Sequence, residues 1–241
     1  MKIYSLVNQE LIKNKFNEDG FVILRNLVDV EEIKLIQNYA ADFLSSDSNP
    51  KSLIEAMENL EDKDKKSFYE FSQIMGAIPP LLRIALNKDI FSLVKNLLGV
   101  EEIYLEDSSI FFNKESVKRL QYDWHQEKSY FPNVKEVITL WFPWLTNVSK
   151  ENGTMIMAKG ANKEIFNAKK ISLKNGLTQM QICDADLDKY EKIHCELNLG
   201  DIVIFSSYSP HRTGYNSSGI PRTSILCRFT DKTGKINCGW K

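Results

Sequence analysis

Histidine and cysteine are scarce in this chain of 241 residues, which holds three histidines and four cysteines. The cysteines, Cys183, Cys195, Cys227 and Cys238, form no Cys-x-x-Cys pair. Their spacing argues against a zinc ribbon, a thioredoxin-type redox site and a dense disulfide framework. We therefore predict four free thiols and a location in the reducing cytoplasm.

Long apolar runs and an excess of charge of either sign are also missing. No run approaches the roughly 18 apolar residues that a membrane span requires, and the first ten residues lack the apolar stretch of a signal peptide. Lysine plus arginine number 31 and aspartate plus glutamate 32, for a net charge of −1. We therefore expect no membrane span and no nucleic acid as the main partner, while the oligomeric state stays open.

Repeats, low-complexity tracts and flexible linkers are absent as well, so the sequence predicts a single domain over residues 1–241. Hydrophobic residues make up 43% of the chain and charged residues 26%, which is typical of a globular protein. We expect residues 1–100 to form a mostly helical buttress and residues 101–241 to form a β core.

Helical patterns dominate the first hundred residues, around one short strand candidate at 21–24. Apolar residues at helical spacing predict a buried stripe: Ile33, Ile36, Ala40 and Phe43. Residues 88–98 form a second helical pattern that stops at Gly99. The charged stretch 61–66 is interpreted as a solvated helix face or a loop.

The rest of the chain is rich in short β-branched and aromatic runs. These runs predict strands at 103–105, 110–112, 137–141, 154–157, 201–205 and 223–229. In the last run one face is apolar, while the other carries a charged arginine, Arg228. Helices followed by many strands favour a mainly β fold with flanking helices, closed or two-layered, over an alternating βαβ fold.

One candidate metal site begins at His125-Gln126-Glu127. In an extended segment, residues i and i+2 point to the same side, so His125 and Glu127 could offer a nitrogen and an oxygen to one ion. Two histidines and a carboxylate on one face of an octahedron are typical of non-haem iron(II) oxygenases. On this pattern alone, an exposed strand salt pair is favoured over a metal site.

A third ligand could come from His211, which follows a strand with apolar residues on both faces. Arg222 lies eleven residues further on. A buried arginine there could pair bidentately with the far carboxylate of a dicarboxylic keto acid, and the hydroxyl of Thr213 could share that carboxylate. The alternative is that Arg222 is an ordinary surface arginine after Pro221.

Three blocks of the sequence resemble the phytanoyl-CoA dioxygenase family of iron(II)/2-oxoglutarate enzymes. They are 124–127 with 130–132 just beyond, 151–154 leading to 159–160, and Gly200-Asp201 through His211, Thr213, Asn216, Ser218 and Arg222. The third block is the most specific, because several positions must coincide. The strand candidate at 21–24, with Asp19-Gly20 before it, also resembles the family's first strand, so the similarity spans most of the chain.

The resemblance implies a double-stranded β-helix, a jelly-roll or cupin-like core. It implies Fe(II) held by His125, Glu127 and His211, with 2-oxoglutarate as co-substrate and dioxygen as oxidant. It implies Arg222 and Thr213 on the far carboxylate of 2-oxoglutarate. Trp141 and Gln126 are expected beside the same co-substrate.

The expected activity is hydroxylation of an unactivated carbon of a small molecule, with release of succinate and CO2. Desaturation or epimerisation in the same fold, and a non-catalytic jelly-roll binding module, are the alternatives. Candidate substrate contacts are Lys128, Tyr130, Phe131 and Arg228, although such residues on strands are more often packing or surface residues. The remaining histidine, His194, is predicted to be an ordinary strand or loop residue, because nothing completes a zinc site with its neighbour Cys195.

The sequence departs from the family pattern at two places. The family usually has aspartate where Glu127 stands, and glutamate keeps the charge but lengthens the arm by one methylene. Relatives that halogenate lack this carboxylate, so its presence predicts hydroxylation or another oxidation. The second departure is 159–162, where the family often has proline, glycine, serine and histidine, which affects contacts on the substrate side.

Overall fold

The computed structural model describes residues 6–114, 121–172 and 178–231. Its helices are α1 (Leu6–Asp19), α2 (Val30–Leu44), α3 (Pro50–Lys63), α4 (Lys65–Gly76), α5 (Pro79–Ala85), α6 (Lys88–Leu98) and α7 (Asp184–Leu187). Its strands are β1 (Phe21–Leu24), β2 (Tyr104–Asn113), β3 (Val137–Pro143), β4 (Met155–Ala158), β5 (Ala168–Ser172), β6 (Thr178–Ile182), β7 (Lys192–His194), β8 (Ile202–Ser206), β9 (His211–Thr213) and β10 (Arg222–Thr230).

Two antiparallel sheets form the β core. The larger has the strand order β1-β8-β3-β10-β2, and the smaller has the order β7-β4-β9. Strands adjacent in the large sheet are distant in sequence, so the chain crosses between the sheets repeatedly. This two-layered arrangement agrees with the predicted jelly roll.

The two faces of the large sheet are buried against different partners, because successive side chains of a strand point to opposite faces. On β10, Ile225, Cys227 and Phe229 join the core formed with the helices, and this core also contains Ile33 and Leu81. On the opposite face, residues of the large sheet pack against those of the small sheet: Phe21, Trp141, Val203, Phe205 and Leu226 meet Met155, Met157, Cys195 and Leu197. The mixed face predicted for β10 is therefore the face between the sheets.

The helical patterns agree with the structure except at one residue. In α2, Ile33, Ile36 and Ala40 are fully buried, but Phe43 is 48% exposed. Its ring still contacts that of Phe71, with centroids 5.3 Å apart, so Phe43 lies at the edge of the core. The helix α6 has the predicted bounds and ends with Gly99 in the left-handed region at φ 67°.

The charged stretch 61–66 is only partly the solvated segment that was predicted. The helices α3 and α4 meet there, and Asp64 caps α4 by accepting hydrogen bonds from the backbone N–H groups of Lys66 and Ser67. Glu61, however, is 1% exposed. The interpretation was wrong for Glu61, because its position falls on the buried face of α3 with Leu53 and Met57.

The predicted strands are present, with one merger. Residues 103–105 and 110–112 belong to a single ten-residue strand, β2, whose register with β10 shifts between Arg228 and Phe229. The polar residues 106–109 between the two predicted strands belong to the same strand. Strand β2 continues through them because β10 pairs with it along its whole length.

A third apolar cluster covers the outer face of the small sheet. Its members are Trp124, Ile156, Ala158, Ala161, Phe166, Ile182 and Leu187. The strands β5 and β6 form a separate two-stranded ribbon. This ribbon and α7 supply structure to the segment 162–198, in which the sequence showed no readable signature.

Three of the four cysteines lie in the described residues, and all three are free thiols, as predicted: Cys183, Cys195 and Cys227. Burial raises the pKa of the Cys195 thiol to about 12. Cys238 lies outside the described residues.

No helix in the described part of the chain combines the length and apolarity that crossing a membrane requires. The division into a helical first part and a β second part matches the element order, while the single domain over 1–241 stays a prediction.

Candidate active site

A cavity of about 330 Å³ opens between the two sheets. The large sheet contributes Phe111, Trp141, Phe205, Arg222, Leu226 and Arg228, and the small sheet contributes Met155, His211, Arg212 and Thr213. The remaining wall comes from the loop before β3 and from β6: Tyr122, His125, Glu127, Tyr130, Phe131 and Thr178. Most of this lining is apolar or aromatic, so the few charged groups in it determine its chemistry.

The two cavity histidines are held side by side by their backbones. His125 and His211 exchange N–H···O hydrogen bonds of 3.0 Å in both directions, and their rings are 4.2 Å apart. The Nδ1 atom of His125 lies 2.7 Å from the carbonyl oxygen of Asp123, and that of His211 lies 3.0 Å from the carbonyl oxygen of Ser209. These contacts leave each Nε2 atom available as a metal ligand.

Glu127 completes the group. It follows His125 at the start of a 3₁₀ turn rather than in the fully extended segment predicted, but its side chain still reaches the same point. Its Oε1 atom lies 3.8 Å from Nε2 of His125 and 3.7 Å from Nε2 of His211. All three residues are buried, and one ligand atom from each lies within 4.8 Å of the others.

The donor set fits a divalent transition metal. Two imidazole nitrogens and one carboxylate oxygen on one side of an ion leave positions open for other ligands, which is the arrangement of non-haem iron(II) sites. A mixed nitrogen and oxygen set is less suited to Ca²⁺ or Mg²⁺, which prefer oxygen ligands alone. His125, Glu127 and His211 could therefore hold iron.

The charge of Glu127 is maintained by its neighbours. Burial by itself would favour the neutral acid, but the adjacent Arg228 charge and the contacts with His125 and His211 hold the pKa of Glu127 well below its ordinary value of 4.5. The carboxylate is thus ionised at neutral pH. Burial and the charge of His125 lower the pKa of His211 below 6.5, which keeps its imidazole neutral.

Arg222 and Trp141 form the other charged feature of the cavity. The Arg222 side chain lies over the Trp141 ring at 5.2 Å, and Arg222 is 5% exposed. Its Nε atom is buried without a hydrogen-bond partner, and no carboxylate of the described residues forms an ion pair with it. Burial lowers the pKa of Arg222 to about 10, so it is still charged at neutral pH. A buried, unpaired guanidinium is suited to an anionic ligand.

Thr213 lines the same cavity from strand β9. Its hydroxyl oxygen accepts a hydrogen bond of 3.1 Å from the backbone N–H of Tyr122, which leaves the hydroxyl proton free to donate. Thr213 stands two residues after His211, so both side chains face the cavity from one strand. The arginine and the threonine predicted for one carboxylate are therefore lining residues of one cavity.

The turn between His211 and Arg222 explains the spacing of eleven residues. Asn216 is fully buried and bonds to the carbonyl oxygen of Ile220 and to Ser218, which folds the turn back toward β10. Gly153 packs against this turn with φ of +79°, and a Cβ atom there would lie 2.7 Å from the carbonyl oxygen of Gly214. The second and third sequence blocks are thus partners in one structural unit.

Two predicted residues do not reach the cavity. Gln126 stands between His125 and Glu127 in the sequence. Its side chain points away from the cavity, because alternate residues of an extended segment face opposite sides. Its amide bonds to the backbone of Glu164, Tyr208 and Phe166 instead. The prediction of a contact between Gln126 and the co-substrate does not agree with this geometry.

Lys128 is likewise directed elsewhere. Its ammonium group donates to the backbone carbonyl oxygens of Pro132 and Val134 and lies over the Tyr208 ring. The other three candidate substrate contacts, Tyr130, Phe131 and Arg228, do line the cavity. The segment 159–162, where the sequence departs from the family pattern, also lies outside the cavity lining. There the side-chain amide of Asn162 donates a hydrogen bond to the backbone carbonyl oxygen of Asn17.

His194 lies on β7, opposite Ile156, and belongs to no metal-binding group in the described residues, which agrees with its prediction as an ordinary strand histidine.

Sequence reasoning missed Asp107, which forms an ion pair with Arg228 across two strands. It also missed the lining residues Met155, Tyr122 and Thr178. Strand register places Asp107 beside Arg228 and Met155 beside Thr213, and no local pattern marked these side chains.

The family model for phytanoyl-CoA dioxygenase matches residues 16–224. The chain belongs to the phytanoyl-CoA dioxygenase family. This membership confirms the resemblance, and it identifies the enzyme class as iron(II)/2-oxoglutarate-dependent oxygenases, with iron and 2-oxoglutarate as the cofactors. No curated protein sequence matches the chain significantly.

Solved structures similar to this family member confirm the jelly-roll fold. The epimerase SnoN, in complex with Fe³⁺, alpha ketoglutarate and nogalamycin RO, is 15% identical, with a TM-score of 0.62 over 94% of this chain and 85% of SnoN. The non-heme monooxygenase ThoJ is 17% identical, with a TM-score of 0.64 over 91% of this chain and 76% of ThoJ. EctD from S. alaskensis, with 2-oxoglutarate and 5-hydroxyectoine, is 15% identical, with a TM-score of 0.67 over 96% of this chain and 77% of EctD.

Proposed function

We propose that this member of the phytanoyl-CoA dioxygenase family hydroxylates an unactivated carbon of a small molecule, with release of succinate and CO2. His125, Glu127 and His211 bind Fe(II) in this proposal. The observation that carries it is the presence of both required features in one cavity. A buried group of two histidines and a carboxylate lies there together with a buried, unpaired arginine, Arg222.

Arg222, Thr213 and Trp141 hold the co-substrate. The guanidinium of Arg222 pairs with the far carboxylate of 2-oxoglutarate, and Thr213 donates its hydroxyl proton to the same group. Trp141 fixes Arg222 from the side through a cation–π contact. Because this end of the cavity is buried, the ion pair forms with little competition from water.

The aromatic and apolar lining near the histidines provides room for the substrate. Tyr130 and Phe131 lie three and four residues after Glu127, while Met155 and Leu226 line the cavity from the two sheets. The hydroxyl oxygen of Tyr130 accepts a hydrogen bond of 2.9 Å from the backbone N–H of Met180, which joins this wall to β6. Such a lining binds a carbon-rich substrate and excludes water from the reaction.

Bound iron and 2-oxoglutarate supply the oxidising chemistry, in which dioxygen is consumed and 2-oxoglutarate is decarboxylated to succinate. The protein contributes geometry and charge. The Nδ1 atoms of His125 and His211 are engaged with backbone carbonyl oxygens, which leaves the Nε2 atom of each ring for the metal. Glu127 contributes a negative charge that its surroundings keep ionised. The cavity walls orient the substrate and keep out solvent.

Anaerobic spectroscopy tests the metal and co-substrate sites together. Addition of Fe(II) and 2-oxoglutarate to the metal-free protein should produce a visible metal-to-ligand charge-transfer band. His211→Ala should abolish the band, and His194→Gln is the matched control that should retain it, because His194 lies outside the cavity. Absence of the band from the wild type, or an undiminished band from His211→Ala, would refute the proposal.

The reaction outcome needs a separate assay, because desaturation and epimerisation use the same cofactors. A screen of small molecules for substrate-stimulated succinate release should identify a substrate. The mass of its product then decides: hydroxylation adds one oxygen atom, desaturation removes two hydrogens and epimerisation leaves the mass unchanged. A protein that binds both cofactors but consumes no 2-oxoglutarate in air with any substrate would instead be a non-catalytic binding module.

A cytoplasmic location and a small molecule as the main partner, rather than nucleic acid, are part of the proposal. The free thiols of Cys183, Cys195 and Cys227 support a reducing compartment. The cavity volume of about 330 Å³ supports a small substrate.

A further inference from the structure

Arg228 also lines the cavity, and it is separate from Arg222. The two residues lie on the same face of β10, six positions apart, which is roughly 20 Å along a strand. Arg228 pairs with two carboxylates: its Nη1 atom is 2.8 Å from Oδ2 of Asp107, and its Nη2 atom is 3.1 Å from Oε1 of Glu127. Its side chain is 14% exposed.

Strand register fixes this arrangement from the side of Asp107. Asp107 on β2 is the direct partner of Arg228 on β10, so the two side chains lie side by side on one face. The Asp107 side chain is 46% exposed, whereas that of Glu127 is 6% exposed. Arg228 therefore links a carboxylate at the solvent edge to the buried carboxylate of the metal site.

Glu127 needs such a partner more than an aspartate would. Its side chain has one more rotatable bond than the aspartate usual in the family, so its carboxylate can occupy more positions. When a ligating side chain must be ordered on metal binding, the lost conformational entropy lowers the affinity of the site for the metal. The hydrogen bond from Arg228 selects the position at which Oε1 faces both histidines.

We propose that Arg228, held by Asp107, is a positioning residue that fixes the Glu127 carboxylate for metal binding and compensates for its longer arm. This inference rests on the proposed role of Glu127 as a metal ligand. It goes beyond that role because it assigns a function to Arg228 on β10, which contacts the ligand Glu127, and to Asp107 on β2, which contacts Arg228.

The opposite role, in which Arg228 competes with the metal, is disfavoured by charge. An isolated guanidinium beside the site would repel a divalent cation. Arg228 and Asp107 together carry no net charge, however, so their repulsion is small while the hydrogen bond to Glu127 remains. Loss of a hydrogen-bonding partner of a ligand typically weakens metal binding by about 10- to 100-fold.

Titration of the metal-free protein with Co(II) tests the proposal without any catalytic assay. Arg228→Met should weaken Co(II) binding by about tenfold or more and change the visible d–d bands that report ligand geometry. Arg228→Lys should recover part of the affinity, because its ammonium group can still donate to Glu127. Arg83→Met is the matched control: Arg83 pairs with Glu32 on the helices, far from the cavity lining, and its removal should leave Co(II) binding unchanged.

Two further variants separate positioning from general disruption. Glu127→Asp, although closer to the family pattern, should weaken Co(II) binding, because the shorter arm withdraws from Arg228. In a Glu127→Gln background, Arg228→Met should cause little additional loss, since the group that it positions has already lost its charge. Asp107→Asn should weaken binding in the same direction as Arg228→Met, and it carries the test if Arg228→Met fails to fold.

The outcomes are distinguishable. Co(II) binding that is unchanged or tighter in Arg228→Met, tighter in Glu127→Asp, or reduced equally by Arg228→Met with and without Glu127→Gln overturns the positioning role. In each of these cases the wild type still binds the metal, so the proposed function stands. A wild-type protein that binds neither Co(II) nor Fe(II) overturns the proposed function and the positioning role together.

Discussion

The Arg222 side chain lies over the Trp141 ring, with its guanidinium carbon 5.2 Å from the ring centroid, and its charge has no counter-ion among the described residues. Burial of an unpaired charge is costly, and proteins retain it mainly where a ligand supplies the missing partner. This pair therefore links the stability of the protein to its affinity for 2-oxoglutarate, and the two effects of substituting Arg222 have opposite signs.

The first expectation concerns affinity. Arg222→Met should weaken 2-oxoglutarate binding by about 10- to 100-fold, because a hydrogen-bonded charge contributes about 1.5–3 kcal/mol. The 2-oxoglutarate affinity of Arg222→Lys should fall between those of the wild type and Arg222→Met, since lysine keeps the charge but not the bidentate fork. Isothermal titration with 2-oxoglutarate, in the presence of a saturating divalent metal, measures the change. Equal affinity in the wild type and Arg222→Met would show that the far carboxylate binds elsewhere.

The second expectation concerns the protein without ligands. The pKa of Arg222 falls from 12.5 to about 10 through burial, which corresponds to a cost of roughly 3 kcal/mol for the charged form. Its contact with Trp141 offsets part of this cost. Arg222→Met should therefore raise the free energy of unfolding by about 1–2 kcal/mol, measured by urea denaturation without metal or 2-oxoglutarate. A less stable Arg222→Met variant would mean that the packing of the Arg222 side chain stabilises the protein by more than the burial of its charge costs.

The part of the fold that could be predicted from the sequence is the part set by local patterns. The strand at 21–24 and the helix at 88–98 have the predicted bounds, because an apolar run after an Asp-Gly turn, helical periodicity and a glycine stop are local signals. The strand through 106–109 was not predicted, because these residues are polar and their strand character comes from pairing with β10. Glu61 was assigned to a solvated segment for a similar reason, since a charged residue on a buried helix face follows from tertiary packing.

The candidate site shows the same limit. His125, Glu127, His211 and Arg222 could be named because each lies in a recognisable block of sequence. Asp107 could not, since its approach to Arg228 depends on the register of β2 and β10. The opposite error occurred at Gln126, whose neighbours in sequence suggested a ligand contact although its side chain faces the protein interior.

Gln126 is therefore expected to affect stability and not co-substrate binding. Its amide is fully buried and makes three hydrogen bonds, to the carbonyl oxygens of Glu164 and Tyr208 and from the N–H of Phe166. Gln126→Leu leaves these backbone groups unpaired, at about 1–3 kcal/mol each when buried. Thermal unfolding should show a loss of about 3 kcal/mol or more in total.

The control is 2-oxoglutarate affinity, measured well below the unfolding temperature of Gln126→Leu. We expect it to stay within about threefold of the wild type, in contrast to the loss expected for Arg222→Met. A large loss of affinity with little change in stability would reinstate Gln126 as a co-substrate contact.

The stability of the metal-free protein should also depend on pH through His211. Burial and the charge of His125 lower the pKa of His211 below its ordinary value of 6.5. Between the pKa of His211 in the folded protein and its pKa in the unfolded chain, the unfolded chain binds a proton that the folded protein does not. The free energy of unfolding therefore rises with pH across this window, and this contribution is lost as pH falls below 6.5. Glu127 acts with the same sign at lower pH, because its pKa is held well below 4.5.

Urea denaturation at a series of pH values, for the wild type and for His211→Asn, isolates this contribution. One proton corresponds to a slope of at most about 1.4 kcal/mol per pH unit. The wild type should lose stability more steeply than His211→Asn as pH falls from about 6.5, since asparagine does not titrate there. Saturating Co(II) should steepen the loss further, because protons then compete with the metal for the imidazole. Parallel curves for the two proteins without metal would show that His211 has the same proton affinity folded and unfolded.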